Sequence, residues 1–443
     1  MQADLRAFLG LLEQHGKLVR VGRPVDPRAE LAALVLEAEK RGQAVLFESL
    51  TGSTMRCVGN VVGDRTMLAL GLGVRPREAV PTFLARSRQR IPPVVVGDAP
   101  VQEVVHAGAD VDVRRLPLPV LSEKDAGPYS TAGLVVAKDP DSGIRNVSFN
   151  RMMLRGRDEF GIRMMAPQHL GQIYDRAVAK GRGLPVAVAI GNHPAELIAG
   201  ATTVAYGDDE LALAGALRGE PLEVAKCVTV DLEVPARAEV VIEGEVLAGV
   251  LEPEGPFGDF MQFYIPVMAN HVLRVTAVTH RRQPIFQTMH AGQAEDTTLL
   301  AISREAQLFE AVAASGTDVR EVSLQPTILG GAISIRKRFE GEPKLVMAAA
   351  FGRYRWLKVC VVVDEDVDVL DMNDVWWAIA TRSRLGRGVL HITDTSGLPR
   401  DPHGLHTAKL GIDATIPLGE WAEYERKRAP GHDRIRLDDF LGR

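Results

Sequence analysis

Apolar residues at Leu5, Phe8, Leu9 and Leu12 recur at the spacing of a helix with one buried face, and Asp4 stands where an N-cap would accept from the first turn. Gly16 marks the stop, and KLVRV follows as a strand. The motif then repeats, with Leu31, Leu34, Val35 and Ala38 at helical spacing, Gly42 as the stop and AVLFESL as the second strand. This alternation predicts a small α/β domain over residues 1–105. Pro92, Pro93, Pro117 and Pro119 punctuate the next stretch, which reads as a linker winding over a surface.

From about residue 130 the texture changes to strands. RNVSFNRMML, LPVAVAIG, VTVDLEVP, AEVVIEGEVL and VLRVTAVTH alternate or are rich in β-branched residues, with helices predicted at 168–180 and 209–217. A sheet or barrel with inserted helices is expected over residues 106–302. Beyond it REAQLFEAVAASG reads as a helix, LKVCVVVDEDVDV as a strand, and NDVWWAIATR as a helix capped by Asn373 or Asp374. These form a third, α/β domain over 303–443.

At 443 residues the chain is too long for one ordinary core. A net charge of -5 and only short or interrupted arginine clusters disfavour nucleic-acid binding. Neither a signal-peptide plan nor a run of about 18 apolar residues occurs, so a cytoplasmic protein without a membrane span is expected. Cys57, Cys227 and Cys360 are too scattered for a disulfide framework or a thiolate metal site and are expected in packing. Trp376 and Trp377, adjacent on one predicted helix, offer more apolar surface than one face can bury, so a homodimer or higher homo-oligomer is expected.

Candidate chemistry concentrates in the middle. In EPEGPFGDF, Glu254 and Asp259 flank a Gly-Pro-Phe-Gly turn in which Pro256 fixes φ and Gly255 and Gly258 permit sharp bends. Two acids held at a set separation suit proton transfer, although acids beside such turns are also common on solvated loops. Asn146, His169 and Glu210 supply an amide oxygen, an imidazole nitrogen and a carboxylate, a mix that suits Mn²⁺ or Mg²⁺. A His opening a helix is also a common cap. Arg151 is the remaining cation, and its odd separation from Asn146 requires a bulge or a strand end between them if the two share a site. No Gly-rich phosphate fingerprint is present.

The ordered set NVSFNR, APQHLGQIY, GDDELALAGAL, KCVTVDLEVPARAEVVIEGEV and EPEGPFGDF resembles the UbiD family of reversible decarboxylases, over essentially the whole chain. The resemblance implies an N-terminal α/β domain, a central split β-barrel flavin-binding domain and a C-terminal α/β oligomerisation domain. It also implies a carboxy-lyase using prenylated FMN, supplied by a flavin prenyltransferase, with Mn²⁺ (or Mg²⁺) held by Asn146, His169 and Glu210 and K⁺ as a further cation. Ser148, Gln168 and Lys409 then fall at cofactor contacts, and Arg151, Glu254 and Asp259 form the catalytic set. In that set Arg151 holds the substrate carboxylate, Glu254 orients Arg151 and Asp259 protonates the carbon that loses CO₂. Some members carry Glu at the last position, so the shorter Asp259 changes the proton donor's reach. The expected substrate is a small aromatic, heteroaromatic or α,β-unsaturated acid. The alternatives are a 4-hydroxy-3-polyprenylbenzoate decarboxylase of ubiquinone biosynthesis and a split-barrel flavin reductase, which would leave Glu254 and Asp259 idle.

Overall fold

The computed structural model describes residues 3–165, 167–398, 401–402, 404, 406–432, 434–436 and 439–440. The chain divides into two compact units, Met1–Ala306 and Gln307–Arg443. The first helix, Leu5–Gln14, buries Leu5, Phe8, Leu9 and Leu12, and the Asp4 side chain accepts from the Ala7 amide, as its pattern predicts. Strands Leu18–Val21, Ala44–Phe47 and Arg56–Gly59 form a small sheet. Its fourth strand is Ile285–Gln287, which returns to pair in parallel with Arg56–Gly59.

The main sheet of this unit runs in the order Tyr129–Ser130, Met152–Leu154, Glu159–Ile162, Met268–His280, Val240–Glu254, Leu184–Ile190, Leu134–Lys138 and Arg145–Phe149. Its two longest members pair antiparallel, with register shifts between Glu243 and Gly244 and between Val246 and Leu251. Such shifts sharpen twist and bend the strand that carries the extra residues. One continuous apolar core, including Phe47, Phe160, Val186, Ile242 and Phe286, joins the two sheets.

Three expectations need correcting. The proline-punctuated stretch is woven into the structure, since Val94–Val95 pairs with Glu223–Lys226 and Val104–Ala107 adds to Met268–His280, while Val101, Val111, Val113, Leu116 and Leu118 are buried. Prolines break ladders only where they stand, and the residues between them still pair. VTVDLEVP yields only the short strand Glu233–Pro235, because the Glu243 carboxylate takes the Val228 and Thr229 amides that a ladder would have used. RNVSFNRMML is two strands, for the reason given below.

In the second unit the sheet order is Asp318–Ser323, Gly330–Arg336, Val359–Asp364, Thr407–Ala414 and Val389–Thr395. Helix Met372–Arg382 begins one turn earlier than its pattern suggests and is capped by Asp371, whose side chain accepts from Asn373 N; Asn373 and Asp374 lie inside the first turn. Trp376 is 68% exposed. Trp377 instead lies between the guanidinium groups of Arg382 and Arg426, 4.9 and 4.1 Å from its ring centre. Among the described residues no helix is long and apolar enough to cross a membrane.

Candidate active site

The strand Arg145–Phe149 stops before Asn150, and Arg151 stands in the gap ahead of Met152–Leu154. That break removes the alternation of faces that would otherwise send Asn146 and Arg151 apart. Side chains bridge the gap. Ser148 Oγ donates to Asn150 Oδ1 at 2.9 Å, Asn150 Nδ2 donates to the Arg163 carbonyl at 2.8 Å, and Arg163 N donates to the Arg151 carbonyl at 3.1 Å. A backbone held this way points Arg151 over the Phe257 ring, 4.4 Å from its centre. Arg151 Nε and Nη2 donate to the two oxygens of Glu254 at 3.0 and 2.9 Å, and among the described residues none accepts from Nη1. The fork matches a carboxylate and leaves one edge for a second.

Glu254 ends the long strand Val240–Glu254, paired with Met268, and is 1% exposed. Besides Arg151 it accepts from Tyr129 Oη at 2.7 Å and from Asn270 Nδ2. Burial, reinforced by the adjacent Glu254 charge, pushes the Tyr129 phenol up, so it stays a donor. Leu121, Tyr129 and Phe257 pack as a small cluster behind the pair.

After Glu254 the backbone turns at Gly255 (φ 101°), and Phe257–Gly258 pairs with Tyr264–Ile265 as a hairpin. Gly258 has no such dihedral; it is needed for space. A Cβ there would stand 2.6 Å from Ser122 Oγ, while Gly258 N and Ser122 N both donate to Asp125, at 2.8 and 2.9 Å. Gly258→Ala is therefore expected to cost about 1–3 kcal/mol through overpacking, read as a lower denaturation midpoint, and to lower activity by shifting the adjacent Asp259. Burial also raises the Asp125 carboxyl, against the pull of Arg151.

Asp259 is buried at the start of the hairpin loop, its amide donating to the Phe263 carbonyl at 3.0 Å and its carbonyl accepting from Gln262 N at 2.7 Å. Nearby Asp296, which accepts from Gly292 N at 2.7 Å, is pushed up to about 6 by burial, with the Asp259 charge adding to the rise. His290 is lowered to about 4 by burial; its Nε2 lies 3.4 Å from Ser122 Oγ and its Nδ1 has no partner. The site thus holds one saturated carboxylate and a second in contact with the field of a third.

A second cluster forms where two helices start. Asp209 caps helix Glu210–Arg218 and is held by Arg145 at 2.6 Å, which fixes Glu210 as the first helical residue. Glu210 Oε2 accepts from Val147 N at 2.8 Å, and burial pushes its carboxyl up to about 8, with the charges of Asp209 and Asp208 adding to the rise. His169 opens helix His169–Ala179 and burial lowers its pKa, so its imidazole is neutral with a lone pair to give. Asn146 and His169 line one cavity, and Asn146 Nδ2 faces Ser148 Oγ at 3.4 Å, leaving Oδ1 without a protein donor. A carboxyl group, an imidazole and an amide oxygen are donor types that a divalent ion accepts, while the Arg145 guanidinium also lines the cavity shared by Asn146 and His169. Among the described residues no three His, Cys, Asp or Glu side chains gather for a metal, and this set draws on an amide for its third donor.

Gln168 is exposed at the N-cap of the His169 helix. Lys409 lies in the second unit, where its ammonium donates to the carbonyls of Arg355 and Leu357 at 2.7 and 2.8 Å. His290 and Asp296 fall in the segment MHAGQAEDTTLLAISRE, whose sequence reads as a wall of the pocket, whereas Tyr129, Asn270 and Asp125 escape the sequence reading. Only Asn270 leaves a trace there, as a strand-disfavouring residue just before VLRVTAVTH.

Three family models match in order: the 3-octaprenyl-4-hydroxybenzoate carboxy-lyase N-terminal domain (UbiD_N, residues 9–87), Rift-related domain (UbiD, 94–294) and C-terminal domain (UbiD_C, 297–414). An anhydromevalonate phosphate decarboxylase of Methanosarcina mazei is 35% identical over 431 residues, covering 96% of this chain and 99% of the relative. Among solved structures, the UbiD-class enzyme HmfF from Pelotomaculum thermopropionicum in complex with FMN superposes with a TM-score of 0.94 at 42% identity, covering 99% and 100% of the two chains. An evolved dimeric form of that enzyme, in complex with prFMN, gives 0.91 at 41%, again over 99% and 100%. A 3,4-dihydroxybenzoic acid decarboxylase from Enterobacter cloacae gives 0.91 at 30%, over 99% of each chain.

Proposed function

The chain belongs to the UbiD family of carboxy-lyases, and from that premise we propose that it decarboxylates, reversibly, a small aromatic, heteroaromatic or α,β-unsaturated carboxylic acid with prenylated FMN and Mn²⁺. The observation that carries the reading is the Arg151–Glu254 pair, which presents a buried guanidinium with one edge spare. That edge receives the substrate carboxylate.

We assign the bent main sheet as the family's split-barrel flavin-binding domain, in which Asn146, His169 and Glu210 would hold the divalent cation that accompanies the cofactor. Ser148 and Gln168 are its further contacts. The bound cofactor supplies the sink for the electrons released when the carboxylate leaves as CO₂. Everything else falls to side chains. Arg151 orients the C–C bond to be broken, and Glu254 keeps Arg151 in place when the carboxylate group leaves as neutral CO₂ and its bonding electron pair stays behind. The carbon left behind takes a proton from the Asp259 carboxyl group, and solvent then returns a proton to the carboxylate that results. Run backward, Asp259 removes that proton and CO₂ adds at the same carbon.

The relatives named for aromatic acids support the aromatic substrate class, while the M. mazei relative favours a phosphorylated acid as a second reading. Protein made with and without a flavin prenyltransferase, plus Mn²⁺, should be offered 3,4-dihydroxybenzoic, vanillic, furan-2-carboxylic, pyrrole-2-carboxylic and cinnamic acids and anhydromevalonate phosphate. CO₂ release or solvent deuterium exchange with at least one acid, only after exposure to the prenyltransferase, is expected. NAD(P)H oxidation without CO₂ release would identify a flavin reductase instead.

A further inference from the structure

Glu254 is contacted by more donors than Arg151 alone requires. Tyr129 Oη reaches Oε1 at 2.7 Å, the oxygen that also takes Arg151 Nε at 3.0 Å. Asn270 Nδ2 reaches Oε2, the oxygen that takes Arg151 Nη2 at 2.9 Å. An asparagine amide could face either way, but here its other end is fixed: Arg163 Nη1 donates to Asn270 Oδ1 at 2.8 Å, and a guanidinium has no acceptor to offer. Arg163 itself is tied at both backbone groups, its N to the Arg151 carbonyl at 3.1 Å and its carbonyl to Asn150 Nδ2 at 2.8 Å. The loop that presents Arg151 therefore also sets the amide that grips Arg151's partner.

We propose that Tyr129 and Asn270 are positioning residues for the decarboxylation, locking Glu254 in two-point contact with Arg151 through Arg163, so that Nη1 of Arg151 is presented to the substrate carboxylate. The charged and titratable groups around Glu254 are Arg151 and Tyr129 directly, Arg163 through Asn270, and Asp125 beyond Arg151. A carboxylate with one donor per oxygen can swing between one-point and two-point contact; with two donors per oxygen it cannot without losing a charge-assisted bond. The role rests on the catalytic assignment of Arg151 and Glu254 made above.

The first measurement needs neither substrate nor cofactor. In protein labelled with [¹⁵N]arginine, the Nε–H signal of Arg151, identified by its loss in Arg151→Lys, reports the contact to Glu254. Tyr129→Phe keeps the ring against Phe257 and removes only the hydroxyl; Asn270→Asp keeps the shape and sets a carboxylate against Glu254. Each is expected to speed solvent exchange of that signal roughly 10-fold or more, the scale of one hydrogen bond to a charged group. With the panel acid that the wild type turns over fastest, Tyr129→Phe should raise KM more than it lowers kcat. Wild-type exchange in both variants would overturn the proposal while leaving the catalytic set standing. Wild-type turnover by Glu254→Gln would instead remove the catalytic set, and this role with it.

Discussion

Asp259→Asn is expected to bind cofactor and substrate and to release CO₂ in a first turnover, yet to turn over roughly 10²-fold or more slowly, the usual scale for a positioned acid. The two carboxylates of the turn occupy unlike surroundings. Glu254 accepts from Arg151, Tyr129 and Asn270, and its bonds are spent on holding a cation. Asp259 sits on the hairpin loop, with the raised carboxyl of Asp296 in its field. Carboxyl groups whose environments differ this way divide the labour of ion pairing and proton transfer. Single-turnover CO₂ release, followed beside deuterium incorporation from D₂O into the product, separates bond breaking from protonation. Deuterium incorporation by Asp259→Asn at the wild-type rate would transfer the role elsewhere, with Asp296→Asn and His290→Asn as the next variants to measure.

Glu210→Ala and His169→Ala are each expected to abolish retention of Mn²⁺ and of the cofactor together, and with them all CO₂ release. Loss of an outer partner typically costs a metal site about 10–100-fold in affinity, and removal of a ligand should exceed that. Burial and two neighbouring acids raise the Glu210 carboxyl to about 8, so ionising it becomes favourable once a divalent ion is beside it. Metal content by mass spectrometry and flavin absorbance after gel filtration give the readout. Because Glu210→Ala also removes a carboxylate that is costly to bury, the variant should fold at least as well as the metal-free wild type. Full metal content in both variants would show that the ion is held elsewhere.

Much of the fold is legible in the sequence because its helices carry clean one-faced patterns and side-chain caps; Leu5–Gln14 and Glu210–Arg218 need nothing else. The pairing of Arg151 with Glu254 is legible through the family resemblance rather than through any local pattern, and the structure does bring those two side chains together. What escapes is whatever depends on partners far along the chain. Tyr129 meets Glu254 across 125 positions, and Arg163 meets Asn270 across 107. No local period records such pairs. Asp371 is missed for a smaller reason: three candidate caps lie within four residues, and only the backbone decides which side chain faces the first turn.

The strand Ile285–Gln287 has a consequence for how the chain is made. It is the last strand of the sheet that the first sixty residues begin, and it pairs with Arg56–Gly59 only after the whole main sheet has been translated. At about 5–20 residues per second a ribosome needs roughly ten to fifty seconds to deliver it. Until then Arg56–Gly59 presents an unpaired edge, with Cys57 and Val58 on a surface that will later be closed. The nascent N-terminal region therefore exposes that edge while the rest of the chain is made, and a fragment ending at residue 105 would carry it permanently.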